Sequence, residues 1–297
     1  MRLNLCTGAE SKSSLFLCIG ILTMNVCADP QGSAPNDAIG EIKLRVPGMT
    51  ESFSMVLCQG ASVETEGALV EIPSMYVLSN EVTWDLYDIF VYKLDESEPG
   101  QVADAITRPS KPYVPPDRGF GHEGYPAIGM TQQAAIQFCN WLSQRSGLEV
   151  RLPTQAEWSY LALAGQSGDF CCGFDQDSLE EFGWSKESSN HSTHPVRELA
   201  PNSFGLYDMH GNAAEWVTSD SRKPLAYGGG YRDSASECTA SSFQRQSSSW
   251  NQSDPQIPKS QWWLADCSWV GFRFVIESDG VDQQTLERLI HDEPQDD

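Results

Sequence analysis

Positive charge is scarce in this chain: Lys and Arg total 19 against 41 Asp and Glu, for a formal net charge of -22 at pH 7. That balance excludes a nucleic-acid or anionic-membrane surface, because association with phosphates rests on Lys and Arg neutralising them. It leaves a solvated acidic surface, one that also eases cation binding. Metal-finger spacing is lacking too. There is no CxxC or HExxH, and the five His are scattered, which excludes a structural zinc site. Beyond the N-terminal segment no apolar run is long enough to span a bilayer, so no membrane span is expected.

The 297 residues include 9 Trp, 12 Phe and 9 Tyr, enough to bury the core of one large or two ordinary domains. Arg2 and Lys12 precede "LFLCIGILTMNVCA", an apolar run that ends in Val26, Cys27 and Ala28. Its length and small final residues predict a signal peptide over 1–28, cleaved before Asp29, and an exported mature chain. Cys6, Cys18 and Cys27 would leave with it; Cys58, Cys139, Cys171, Cys172, Cys238 and Cys267 remain. In an oxidising compartment these could form up to three disulfides of undetermined connectivity, a strained Cys171–Cys172 bridge excepted. Residues 29–40, rich in Pro, Gly, Ser and Asp, read as a linker, 41–277 as the folded domain and 278–297 as an acidic tail whose last residues, "HDEPQDD", are disordered.

Short alternating segments, "EIKLRV", "SFSMVLC", "ALVEIPSMYVLS" and, late in the chain, "SWVGFRFVIE", predict strands. Helices are predicted after Thr83, after Thr131 and after Thr154. In the second, Ala135, Phe138, Cys139 and Leu142 share one face and make Cys139 a core residue, and Gly147 ends the helix. In the third, Thr154 and Glu157 have capping-box spacing and Gly165 sits at the αL stop. Pro- and Gly-rich residues 97–126 predict an ordered irregular loop.

The segment "GLYDMHGNAAEW", residues 205–216, is too dense in turn formers to continue a helix or strand. It predicts a shaped loop that either closes a turn or gathers oxygen ligands around a cation.

Six segments occur in the order of a known domain: "NEVTWDLYDIF", "GYPAIGMTQQAAIQFCNWLS", "RLPTQAEWSYLALAG", "PNSFGLYDMHGNAAEWV", "YGGGYRD" and "VGFRFV". Over about residues 45–276 the chain resembles the sulfatase-modifying-factor domain of the formylglycine-generating enzyme and its relatives. The resemblance implies an α+β fold: a single loop-rich domain related to the C-type lectin fold. It also implies a structural calcium ion held by the Asp208 carboxylate and the carbonyls of Met209, Gly211 and Ala213, with Glu215 and Trp216 packing and hydrogen-bonding beneath the loop. A second calcium loop of the family would fall in "EEFGWSKESSNHSTH", where no ligands can be matched.

The family's enzyme oxidises a substrate cysteine with two cysteines that hold copper(I), and soft thiolates suit that ion. Alignment on the Gly-Gly-Ser turn places Asp233 at the first cysteine position, Cys238 at the second and Gly230 at the serine. The oxidase chemistry is therefore expected to be absent unless Cys238 finds another partner; Cys267 is the candidate, and if the two meet they would form a disulfide in preference to a copper site, while a lone, buried Cys238 is an equal alternative. The expected function is a non-oxidase domain binding a peptide, glycan or protein partner, in a groove near Trp250, Trp262, Trp263 and Trp269. The same tryptophans could instead fill the core. The alternative is a divergent formylglycine-generating oxidase using Cys238.

Overall fold

The computed structural model describes residues 40–291 apart from 47, 66–67, 97–107, 113–114, 172, 174–175 and 222. The expected signal peptide, most of the linker, the final "DEPQDD" and Cys172 lie outside the described residues.

Alternation drives the first sheet. In β2, Ser52–Cys58, Phe53 and Met55 point into the main core, while Val56 and Cys58 join a second cluster. β2 pairs antiparallel with β1, Glu41–Arg45, and with β5, Met75–Leu78. β11, Val275–Glu277, extends the sheet beyond β5, and β6, Val150–Arg151, closes it, giving the order β1-β2-β5-β11-β6. The predicted strand over 68–79 is two strands. Pro73 has no N–H to give a ladder, and the chain divides there into β4, Ala68–Ile72, and β5. β4 pairs with β3, Ala61–Thr65, in a hairpin the sequence pattern did not signal.

The helices begin where their caps predict. α1, Trp84–Tyr92, follows Thr83; α2, Gln132–Ser146, starts at Thr131, whose side chain accepts from Ala134 N–H, and stops at Gly147 in the αL conformation. α3, Gln155–Leu163, carries the full Thr154–Glu157 capping box. Its αL stop falls at Ala164, one residue before the predicted Gly165, which is also left-handed. Cys139 is buried in the core, as its helical face implied.

Phe138 of α2 is the centre of an aromatic cluster. Tyr87, Phe90, Trp141, Phe272 and Phe274 all lie with ring centroids between 5.3 and 6.3 Å from it. Each fully buried aromatic of this size stabilises the fold by about 1.5–3 kcal/mol. A second sheet, ordered β10-β7-β8-β9, consists of β7, Ala214–Val217, β8, Leu225–Tyr227, β9, Phe243–Arg245, and β10, Val270–Gly271, the last parallel to β7. The predicted single strand "SWVGFRFVIE" is thus divided between the two sheets as β10 and β11. Past it, α4, Gln283–His291, lies within the segment expected to be tail and buries Leu289 in the main core. No helix among the described residues is long and apolar enough to cross a membrane.

Candidate functional site

Residues 205–213 form the expected shaped loop, and the second of its two glycines is obligatory. Gly211 has φ +94°, and a Cβ there would lie 2.1 Å from the Trp184 carbonyl oxygen. Asp208 and Asn212 also take left-handed φ values of 56°. The Asn212 side chain fastens the loop to two distant segments: Oδ1 accepts from His194 N–H at 2.9 Å, and Nδ2 donates to Glu81 Oε2 at 2.8 Å. Glu81 Oε1 accepts the Ala213 N–H, 2.8 Å away. The upstream segment 180–194 therefore packs directly on the loop, with the Trp184 and His194 rings stacked 3.7 Å apart.

Beneath the loop four charged groups are buried together: Glu81, Asp208, Glu215 and Arg273, each no more than 2% exposed. Arg273 stands between Phe272 and Phe274 in the chain and is as fully buried as they are. Its Nη2 and Nε donate to Glu215 at 2.7–2.9 Å, and its remaining bonds go to the carbonyls of Leu78 and Tyr207. Trp158 Nε1 also donates to Glu215, at 2.7 Å. Glu215 does hydrogen-bond under the loop, as expected, and Trp216 is fully buried.

One guanidinium cannot neutralise three buried carboxylates. Burial and the repulsion of Asp208 and Glu215 hold the Glu81 carboxyl well above its usual range, and burial pushes Asp208 up to about 6. Asp208 Oδ2 accepts from Arg197 N–H at 2.8 Å, whereas Oδ1 is buried with no hydrogen-bond partner. Among the described residues no three His, Cys, Asp or Glu side chains converge as a metal cluster. A cation here would need backbone carbonyls beside Asp208. An orphaned hard oxygen in an under-neutralised pocket fits such an ion.

The second site is the turn of residues 228–238. Asp233 N–H donates to Gly230 O and Asp233 Oδ2 accepts from Gly230 N–H, both at 2.9 Å, so the turn is closed in both directions. Gln244 Nε2 donates to the same Oδ2 at 2.6 Å, and Gln244 Oε1 accepts from Trp269 Nε1 at 2.9 Å. Burial raises the Asp233 carboxyl above its usual value. Cys238 is fully buried, its Sγ within 3.9 Å of the carbonyls of Gly230 and Asp233. Burial, followed by the nearby charges of Asp233, Glu187 and Glu237, pushes its thiol far up. Cys267, likewise buried, is pushed up to about 12 by burial. Both are free thiols, so no Cys238–Cys267 disulfide forms in this structure. His210 reaches between the two sites: Nδ1 donates to the Cys238 carbonyl at 2.9 Å, and Nε2 accepts the Cys171 N–H.

The four tryptophans divide. Trp250 and Trp269 pack edge to face in the core at 5.3 Å, with the Arg232 guanidinium 3.4 Å over the Trp269 ring. Trp262 is 4% exposed and borders a shallow depression beside Ile257 and Pro258. Trp263, half-buried, lines a distinct apolar cavity.

The model of the sulfatase-modifying factor enzyme 1-like domain matches residues 49–278, most of the chain. The chain belongs to this family. Curated relatives include the formylglycine-generating enzyme of Mycobacterium tuberculosis, 30% identical over an alignment of 109 positions that covers 33% of this chain and 34% of that protein. The mouse formylglycine-generating enzyme is 31% identical, with 35% of this chain and 30% of the relative covered. A Chlamydia caviae protein named serine/threonine-protein kinase pkn1 is 32% identical, with 32% of this chain matched to 14% of it. The matched regions thus span between 14% and 34% of these relatives' own lengths. Treponema denticola variable protein 1 shares the fold with a TM-score of 0.59 at 20% identity, covering 80% of this chain and 99% of that one. PvdO from Pseudomonas aeruginosa does so at 0.58 and 20%, covering 79% and 97%. The sulfatase-modifying factor domain here is accordingly an α+β, loop-rich domain of the formylglycine-generating-enzyme type.

Sequence reasoning found the loop and the turn but missed Glu81, Gln244 and Arg273, which hold them. Arg273 did carry a signal, as the lone charge inside the alternating run "VGFRFV".

Proposed function

We propose that this chain is an exported, non-oxidase member of the sulfatase-modifying factor family, a lectin-like domain that binds a peptide, glycan or protein ligand. The observation that carries the reading is the chemistry of the turn aligned with the family's two cysteines. At the first position Asp233 commits its carboxylate to Gly230 N–H and Gln244, and at the second a lone thiol is buried and held protonated. Copper(I) needs soft thiolate ligands, and one protonated thiol beside a hard carboxylate does not fit it. A serine at position 230 would also be crowded, since a Cβ there lies 3.0 Å from the Trp269 carbonyl oxygen.

The deciding experiment is mass spectrometry of a cysteine-containing sulfatase-motif peptide after incubation with the purified protein, copper(I) and oxygen, with Cys238→Ser as control. No formylglycine is expected. Conversion that disappears in the control overturns the reading and makes Cys238 catalytic.

We assign calcium to the 208–213 loop, with the Asp208 carboxylate and the carbonyls of Met209, Gly211 and Ala213 as its ligands. When bound, the ion supplies the positive charge that the buried carboxylates lack, and its role is structural. The expected outcome is a melting temperature raised by calcium and lowered by chelator, with Asp208→Ala removing the response. A variant that still responds to calcium refutes the assignment.

A further inference from the structure

We infer that the outer edge of β9 binds an extended acidic peptide, which adds to the second sheet as a further strand. The inference rests on the binding-domain reading above and names the chemistry of its ligand. Neither the 208–213 loop nor the cavity beside Trp263 contributes to this edge.

β9 is the last strand in the order β10-β7-β8-β9, so only one of its edges is paired. Ser242 O accepts from Gly228 N–H at 3.2 Å, Gln246 N–H donates to Pro224 O at 3.0 Å, and Gln244 stands opposite Ala226. Residues 242, 244 and 246 therefore turn their backbone groups toward β8. In an antiparallel ladder the residues between them, Phe243 and Arg245, turn theirs the other way. Among the described residues, none of these two N–H and two C=O groups has a hydrogen-bond partner. An open edge of this kind is a template for another chain, and an added strand would make four backbone hydrogen bonds to it.

Side chains choose the partner. Phe243 is exposed and stacks on Tyr227, and the Arg245 guanidinium lies 5.1 Å from its ring centre. On the other face of the strand Gln244 reaches Asp233 and Trp269, and Arg232 lines the depression beside Phe243 and Gln244. The Arg232 guanidinium is held 3.4 Å over the Trp269 ring and half-exposed. Among the described residues it makes no hydrogen bond, the Asp233 carboxylate standing 4.0 Å from its Nε. A guanidinium fixed on an aromatic ring with its donors free is arranged in advance for a carboxylate.

The carboxylates nearby do not serve. Asp233 Oδ2 is committed to Gly230 N–H and Gln244, and Glu237 accepts from the N–H of Ser234 at 2.9 Å and its hydroxyl at 2.7 Å. At the far end of the edge Lys223 lines a second depression with Gln246 and Ser247. Arg232, Arg245 and Lys223 thus follow an open edge on a chain of net charge -22. Charges beyond about 8 Å are screened at physiological ionic strength, so a short peptide responds to these cations rather than to the whole molecule. A second copy of the chain, with the same large net charge, is the poorer occupant.

Residues facing each other across paired strands share a face, so the ligand's pattern follows. In the antiparallel pairing, the commoner one, it is acidic opposite Arg245, acidic opposite Gln244 and beside Arg232, and apolar opposite Phe243. The test is calorimetric titration of the purified full chain with acetyl-Thr-Glu-Glu-Val-Thr-amide. One-to-one binding in the sub-millimolar range is expected, weaker at high salt, and the Lys-Lys counterpart should not bind. N-methylation of the first Glu and the Val removes the two N–H groups that face β9 and should weaken binding by at least about tenfold. N-methylation of the second Glu, whose N–H points away, should leave binding in place.

In the protein, Arg245→Gln removes the charge and keeps the outward N–H, whereas Arg245→Pro removes both. That N–H lies outside the β8–β9 ladder, so both variants should keep a cooperative melting transition, with the Pro variant binding about fivefold more weakly than the Gln variant. Arg232→Gln should weaken binding about fivefold. The N-methylated peptides ask the same question of the edge without altering the protein. Equal binding of the Glu-Glu and Lys-Lys peptides, indifference to the position of the methyl groups, equal affinity of folded Arg245→Gln and Arg245→Pro, or no binding at millimolar concentration overturns the inference. Each of those results leaves the non-oxidase reading standing, which only formylglycine production overturns.

Discussion

Asp95 follows α1, and its side chain is fully buried. Its two oxygens accept from Arg108 Nη1 and Nη2 at 2.7 and 2.8 Å; Trp141 Nε1 donates at 3.2 Å, and Arg145 completes the cluster. Arg108 in turn lies against the Phe90 and Trp141 rings. The segment 108–112, which ends at the Lys111 and Pro112 wall of the apolar cavity beside Trp263, is pinned to the helices through this carboxylate. Asp95→Asn keeps the shape, removes the charge and turns an amide donor toward other donors. Removing one partner of a buried pair costs about 3–5 kcal/mol. The lower end applies here, because Glu96 remains 3.6 Å from Arg108 and Arg145 is a third exposed and free to swing into water. A loss of about 3 kcal/mol corresponds to a melting temperature lower by about 6–12 °C for a domain of this size. Arg145→Ala, which removes only the exposed arm, should cost less than about 1 kcal/mol. Burial alone would raise the Asp95 carboxyl, but Arg108, Trp141 and Arg145 together hold it below its usual value of 3.8. A depressed acid stabilises above its unfolded value and loses that contribution as pH falls through the folded one. The wild-type advantage over Asp95→Asn should therefore be full at neutral pH and shrink below pH 3.8. Urea and thermal denaturation monitored by circular dichroism measure both effects. An Asn variant within about 1 kcal/mol of wild type, or no better separated from it than Arg145→Ala, refutes the reasoning.

Arg273→Met strands Glu81, Asp208 and Glu215 without their cation and should cost more than about 4 kcal/mol, read as loss of a cooperative melting transition; a variant melting within a few degrees of wild type contradicts the charge argument. Gly211→Ala combines a left-handed φ with a Cβ 2.1 Å from the Trp184 carbonyl oxygen, and at least about 2 kcal/mol of destabilisation is expected in urea titration. His122 stands between Asp88, 2.9 Å from Nε2, and Asp117, 3.4 Å from Nδ1. Burial would lower its pKa, but the two carboxylates outweigh it and hold the imidazole above the ordinary 6.5. The ion pair thus contributes fully below pH 6.5 and fades as pH rises through the folded value. NMR titration should show a midpoint above 6.5 that Asp117→Asn lowers, and a wild-type midpoint at or below 6.5 would be inconsistent with the geometry.

What the sequence made visible was local chemistry. Thr154 and Glu157 satisfy each other's backbone donors within four residues, so the capping box could be read directly. The turn formers of 205–216 likewise declare a loop by composition. The β3–β4 hairpin escaped because "ASVET" is short and mostly polar, and its register depends on β4. α4 escaped because its apolar residues find their partners in the distant core. At the candidate sites the same division holds. Asp208 and Asn212 stand out in the chain, yet their setting depends on Glu81, 131 positions from the Asn212 amide it accepts from, and on Arg273. No local spacing encodes those partners, because a buried charge selects them by three-dimensional proximity.

The turn of residues 228–238 shows how a redox position can become a structural one under the proposed reading. A carboxylate at 233 accepts two strong hydrogen bonds, from Gly230 N–H and Gln244, and through Gln244 connects the turn to Trp269. A thiol is a weak acceptor and could not hold that network. The carboxylate also raises the cost of ionising its neighbour, since Asp233, Glu187 and Glu237 all repel a thiolate at Cys238. Gly229 is left-handed, and a Cβ there would lie 2.9 Å from Cys238 Sγ, so the backbone at 229 runs close to the buried thiol. The substitution at 233 therefore does more than delete a ligand: it rigidifies the turn and keeps the remaining cysteine a protonated core side chain. Restoring one cysteine would leave both consequences partly in place, so the non-oxidase reading proposed above rests on the whole turn and its packing, with Gly230 and Gln244 as much a part of it as Asp233.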